Sequence, residues 1–243
     1  MPVSEVTGKF ACMDLLLIPG FWLDSDSWKD VVPALEGAGH HVHPLTMPGV
    51  GVPATGSADI GMADWVAAAV ARIDELDGPI ALIGHSGGGN VVWGAADARP
   101  DRVSRVVFVD TVPPAPGRNV GEFDVVDGVV PFPGWDYFPD EDVYDLDDAT
   151  RARTAPLTLS IPARVPADPI ELTDEHRHAV PVTLLMGGLD QTEFEMVIKE
   201  WGPFAEEFAA IENAEVIKLG SGHWPQFSKP DVLAREIVTA LSR

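Results

Sequence analysis

The sequence predicts an α/β fold, with one mainly parallel central sheet and helices on both faces. Two patterns carry that expectation. Short apolar runs alternate with longer segments whose apolar residues recur at helical spacing. The short runs are continuously apolar, as in strands buried on both faces of a parallel sheet. The size agrees: 243 residues, 46% of them hydrophobic, suit one large domain and are short for two.

Residues 13–18 (MDLLLI) open the pattern as a strand. Residues 27–37 read as a helix stopped by Gly37 or Gly39, and 42–45 as a second strand. In 64–76, Trp65, Val66, Ala69, Val70, Ile73 and Leu76 form a helical stripe. A strand at 80–83, a helix over Gly88–Ala98 and a strand over Val103–Val109 follow, with further strands at Val182–Met186 and 216–219. The last segment reads as a helix capped by Ser228, with Pro230 at an early position and Asp231 completing a capping-box-like pattern.

The rhythm fails between the strands near 109 and 182. The chain therefore divides into a core of 1–111 and 180–243 and a lid or cap insertion of 112–179. Within the insertion, residues 121–148 hold ten acidic side chains, no Lys or Arg, and six aromatics including Phe123, Trp135 and Phe138. That many aromatics argue against disorder throughout.

The formal net charge of −22 makes nucleic acid a poor partner and disfavours anionic membranes and polyanionic substrates. No run of 18 apolar residues is present, so no membrane span is expected. Residues 1–9 lack the basic flank and apolar stretch of a secretory signal. One cysteine, Cys12, excludes an internal disulfide and fits a reducing compartment, the cytoplasm. The expected partner is a small-molecule substrate; the oligomeric state is left open.

Chemistry enters at Gly84-His85-Ser86-Gly87-Gly88, a G-x-S-x-G turn between an apolar strand and a helix. Glycine at both flanks leaves room for a strained turn that lifts the serine above the sheet. The helix that follows points its positive end at the reacting centre. No lysine follows at phosphate-loop spacing and G-x-G-x-x-G is absent, so no nucleotide cofactor is expected.

A serine nucleophile needs a base. In enzymes with this turn the acid and the histidine follow the serine along the chain. His223 lies in a loop directly after a strand, where parallel sheets place their chemistry. His176 and His178 precede a strand, and His85 should point away from the nucleophile and pack the turn. His40, His41 and His43 have no completing ligands nearby, so no metal site is expected. Two acids stand at strand ends. Asp190, one strand before the histidine loop, is preferred; Asp110 is the alternative. The backbone N–H groups of Gly87 and Phe21 are the expected oxyanion donors, with Trp22 in reserve for the second.

With these residues in place the sequence resembles the α/β-hydrolase family, in particular its esterase and hydroxynitrile-lyase-like branch, which includes plant methylesterases. The resemblance covers nearly the whole chain. It rests on Pro19-Gly20 followed by Trp28, on 35–39 with His40, on 84–88, and on Asp190 and His223. The family often has His-Gly where this chain has Pro19-Gly20. The resemblance implies an acyl hydrolase working through an acyl-enzyme. A lyase using the same triad and a ligand-binding receptor on the same scaffold are the alternatives. Trp22, Trp135 and Trp224 are candidate substrate contacts, pointing to a neutral, hydrophobic or aromatic carboxylic ester or lactone. The acidic run either repels anions or only faces solvent.

Overall fold

The computed structural model describes residues 12–243, so the reading of residues 1–9 falls outside the described residues. Six parallel strands form the central sheet: β1 (Asp14–Ile18), β2 (His41–Pro44), β3 (Ile80–His85), β4 (Val103–Val109), β7 (Val182–Met186) and β8 (Ala214–Lys218). Two short strands, β5 (Val129–Val130) and β6 (Ile161–Pro162), pair antiparallel away from it. The order across the main sheet is β2-β1-β3-β4-β7-β8.

The continuous apolar runs have a direct cause. Leu16, Ile18, Leu82, Val106 and Phe108 face one hydrophobic cluster, while Leu15, Leu17, Ala81, Ile83, Val107 and Val109 face another. The first cluster includes Trp65 and Ile73 of the helix Met62–Glu75 and Trp93 of Gly88–Ala98. The second takes Leu35 of Val32–Gly37 and Leu233 and Ile237 of Pro230–Leu241. Each of the buried Leu, Ile, Val and Phe side chains contributes about 1.5–3 kcal/mol.

Local corrections concern helix ends. The helix expected over 27–37 is broken: Ser25–Trp28 is a 3-10 turn and the α-helix starts only at Val32. Pro33 lies in its first turn, where a missing N–H costs nothing. Ser228 does not cap the last helix. Its Oγ donates to the Trp224 carbonyl at 3.3 Å, and Lys229 stands at the cap position. Two helices, Gln191–Val197 and Pro203–Ala210, lie between β7 and β8 where none was expected.

Between β4 and β7 the chain makes only short elements, among them β5, β6 and the helices Asp140–Val143 and Asp148–Thr154. Eight of the ten acidic residues of 121–148 are exposed; Asp142 and Asp145 are half-buried. Near the return to the sheet, buried Arg177 bonds Glu207 through Nε at 2.8 Å and Asp97 through Nη1 at 3.1 Å. Among the described residues, no helix is long and apolar enough to cross a membrane.

Candidate active site

β3 runs through Gly84 and His85 into Ser86, whose φ of +50° puts a non-glycine residue in the left-handed region. Its backbone is fixed on both sides. The Ser86 N–H donates to the Val109 carbonyl at 3.1 Å, and the Ser86 carbonyl accepts from the Gly89 N–H at 2.8 Å. The helix Gly88–Ala98 begins two residues later and aims its positive end at the serine.

His223, in the loop after β8, reaches Ser86: Nε2 stands 2.9 Å from the serine Oγ. Its Nδ1 lies 2.6 Å from Oδ2 of Asp110. Since the carboxylate accepts, Nδ1 carries the proton and Nε2 is free to accept from the serine hydroxyl. The His223 main chain is held as well. Its N–H donates to the Asp142 carbonyl at 2.8 Å, and its carbonyl accepts from His85 Nε2 at 2.7 Å. Gln226 Nε2 in turn faces His85 Nδ1 at 3.2 Å. Burial, helped by the nearby charge of His223, pushes His85 down to about 3, so it stays a neutral prop beneath the turn.

The structure places Asp110, not Asp190, beside the histidine. Asp110 follows β4 with a φ of +46°, and its N–H donates to the Leu185 carbonyl at 2.8 Å. Its Oδ1 accepts from the Gly187 N–H at 2.6 Å. Burial raises its carboxyl, but the hydrogen bond and charge of His223 and the Gly187 N–H outweigh burial and hold it below the ordinary carboxylate value. Asp190 instead caps the helix Gln191–Val197. Its Oδ1 accepts from the Glu193 N–H at 2.9 Å, while Glu193 Oε2 accepts from the Asp190 N–H at 2.9 Å. The physical reason is the path of the histidine loop. Ser221 N–H donates to the Gly187 carbonyl at 3.1 Å, folding 220–223 back over Gly187 toward β4. A Cβ at Gly187 would stand 2.6 Å from the Ser221 carbonyl oxygen, so the crossing needs glycine.

Phe21 and Gly87 are brought together: a Cβ on Gly87 would collide with the Phe21 ring. Among the described residues, neither the Phe21 nor the Gly87 N–H has a protein acceptor. Two undonated N–H groups beside a serine are what a developing oxyanion requires.

Trp22, with a φ of +64°, packs its ring against Phe21, Phe123, Phe132 and Phe138. It lines a cavity of about 590 Å³ with Glu122, Phe123, Asp124, Pro133 and Tyr137; neither Ser86 nor His223 lies in that lining. Trp135 and Trp224 pack edge-to-face at 5.0 Å, and Trp224 stands 4.7 Å from the His223 ring as a buried wall. Cys12 is exposed, with Sγ 3.8 Å from His41 Nε2. Asp14 and Arg72 flank His43, at 2.6 and 3.0 Å from its two ring nitrogens.

The sequence pattern of the alpha/beta hydrolase family matches residues 15–236. Two curated relatives are similar over part of the chain. The (E)-2-((N-methylformamido)methylene)succinate hydrolase of Acinetobacter baylyi is 35% identical over 101 residues, 40% of this chain and 37% of that protein. Esterase PIR7B of Oryza sativa subsp. japonica is 33% identical over 129 residues, 50% of this chain and 45% of that protein. The matched region thus spans less than half of each relative's length. Among solved structures, an extracellular alpha/beta-hydrolase from a Paenibacillus species superposes with a TM-score of 0.73 at 20% identity, covering 94% of this chain and 98% of that one. That likeness is one of fold.

Proposed function

Because the chain belongs to the alpha/beta hydrolase family, we propose that it is a serine hydrolase acting on carboxylic esters or lactones through an acyl-enzyme. The observation that carries this reading is the continuous chain from Ser86 Oγ through His223 to Asp110, with contacts of 2.9 and 2.6 Å. In the proposed cycle Ser86 Oγ attacks the ester carbonyl carbon while His223 Nε2 takes its proton. Asp110 holds the imidazole tautomer and stabilises the imidazolium without taking the proton. The oxyanion sits on the Phe21 and Gly87 N–H groups. The imidazolium then protonates the departing alcohol, leaving the acyl group on Ser86. Water attacks that ester with His223 again as base, releasing the carboxylic acid and restoring the serine.

The substrate is neutral, with a hydrophobic or aromatic part. In support, Trp22, the neighbour of Phe21, opens onto a cavity that Phe123 and Tyr137 line together with the carboxylates of Glu122 and Asp124 and no basic residue, although neither Ser86 nor His223 lines it. The insertion 112–179 serves as the lid over that space. Coenzyme A thioesters, with their phosphates, are poor substrates on the same ground. The test is labelling with a fluorophosphonate, followed by turnover of short p-nitrophenyl esters. Ser86→Ala is expected to lose the label and at least ~10⁴ of the turnover. Wild-type activity in that variant would end the proposal.

A further inference from the structure

Two acidic residues of the insertion do not behave like their eight exposed neighbours. Asp142 and Asp145 turn inward onto the loop that carries His223. Three hydrogen bonds join the two segments. The Asp142 carbonyl accepts from the His223 N–H at 2.8 Å. Asp145 Oδ2 accepts from the Gly222 N–H at 2.9 Å. Tyr144 Oη donates to the Gly220 carbonyl at 3.1 Å. The second Asp145 oxygen, Oδ1, is buried with no partner among the described residues. A carboxylate kept in so poor a setting needs a compensating use. The fit is also close: a Cβ on Gly222 would collide with the Asp142 carbonyl and stand 2.6 Å from Asp145 Oδ1.

The loop is otherwise held at Gly220 by Tyr144 and Lys229, at Ser221 by the Gly187 carbonyl and at His223 by the Asp142 carbonyl, so Asp145 is the acceptor specific to Gly222. Gly220 and Gly222 bring no side chains, and the Ser221 hydroxyl has no partner among the described residues. Without the Asp145 contact, the Gly222 N–H loses its acceptor and the peptide one residue before the histidine is held less tightly. A shift of about 1 Å at a reacting group is enough to cost ~10²-fold in rate.

We propose that Asp145 is a positioning residue for the base: its carboxylate, bonded to the Gly222 N–H, sets where His223 Nε2 meets Ser86, making the insertion part of the catalytic geometry. The inference rests on the reading of His223 as the base. It is tested on the full chain with a short p-nitrophenyl ester, measuring kcat and KM for Asp145→Ala, Asp145→Asn and His223→Ala, with thermal midpoints for each. Asp145→Ala is expected to lower kcat ~10- to 100-fold with KM within about threefold. Asp145→Asn keeps an oxygen for the Gly222 N–H and is expected to stay within about threefold of the parent in kcat. If the alanine chain does not fold, Asp145→Ser, too short to reach Gly222, takes its place with the same expected loss. Gly222→Ala, which pushes the two segments apart, should reproduce the kcat loss. An alanine or serine variant within twofold of the parent, or equal losses in alanine and asparagine, overturns the inference. Full activity in His223→Ala would instead overturn the underlying reading, so the two failures are distinguishable.

Discussion

The loops after β4 and β7 begin alike and end differently. Each leaves a buried strand and offers a carboxylate a few residues on: Asp110 directly after Val109, Asp190 four residues after Met186. Asp110 finds an imidazole and the Gly187 N–H; Asp190 finds the Glu193 N–H at the start of its own helix. The first joins a site built from four distant segments, and the second satisfies a local need. A carboxylate's job is therefore set by the donors the fold brings to it, not by its place at the end of a strand.

The sharpest way to break this comparison is Asp110→Asn against Asp190→Asn. The first variant should lose ~10⁴ in kcat, through the wrong imidazole tautomer. The second should stay within about threefold. Greater damage from Asp190→Asn would return that residue to the site.

Acidification sharpens it next, by reading what supports the first loop. His85 is pushed down to about 3 in the folded protein, against 6.5 ordinarily. Between those values the unfolded chain binds a proton that the folded one refuses, so stability rises with pH. The parent should lose stability steadily as pH falls through that window. Buried His40, also lowered by desolvation, acts in the same direction. Asp110 enters at the low end: its contribution is complete above 3.8 and is lost as pH falls through its depressed folded value. Urea unfolding at pH 7, 5.5 and 4.5 should give a shallower slope for His85→Asn than for the parent. Equal slopes would contradict the buried, neutral histidine.

Gly187→Ala probes the crossing that separates the two carboxylates. Its Cβ would press on the Ser221 carbonyl at 2.6 Å, so kcat should fall about 10²-fold while KM moves little. An unchanged kcat would mean that the histidine loop tolerates displacement. The smallest effect belongs to Asp190→Ala. It removes a helix cap and should cost about 1 kcal/mol of stability, seen as a lower denaturant midpoint with kcat essentially retained.

These contrasts follow the boundary of what the chain reveals locally. The strands were legible because β1, β3 and β4 are buried on both faces and carry no polar alternation. The turn at Ser86 was legible because glycine spacing and a flanking strand are properties of nine consecutive residues. The meeting of His223 with Asp110 was not, since it depends on a loop crossing Gly187 some 35 positions upstream. For Asp190 a local signal is present: Asp190-Gln191-Thr192-Glu193 has the spacing of a capping box before a helix, which ties the carboxylate to its own chain. The acidic run admitted two readings because charge alone does not say which face of an irregular segment meets water. Phe123, Phe132, Trp135 and Phe138 turn in, Tyr137 and Tyr144 stay exposed, and eight of the ten carboxylates turn out.

The edge of Trp224 against the His223 ring, at 4.7 Å, with Trp135 a further 5.0 Å away, has an optical consequence. Indole emission depends on what lies against the ring. Removing the imidazole in His223→Ala should therefore shift the emission of this tryptophan pair, and Trp224→Phe should remove that difference. Steady-state fluorescence of the two variants against the parent would then read the contact between His223 and its aromatic neighbour, without a substrate or an added dye.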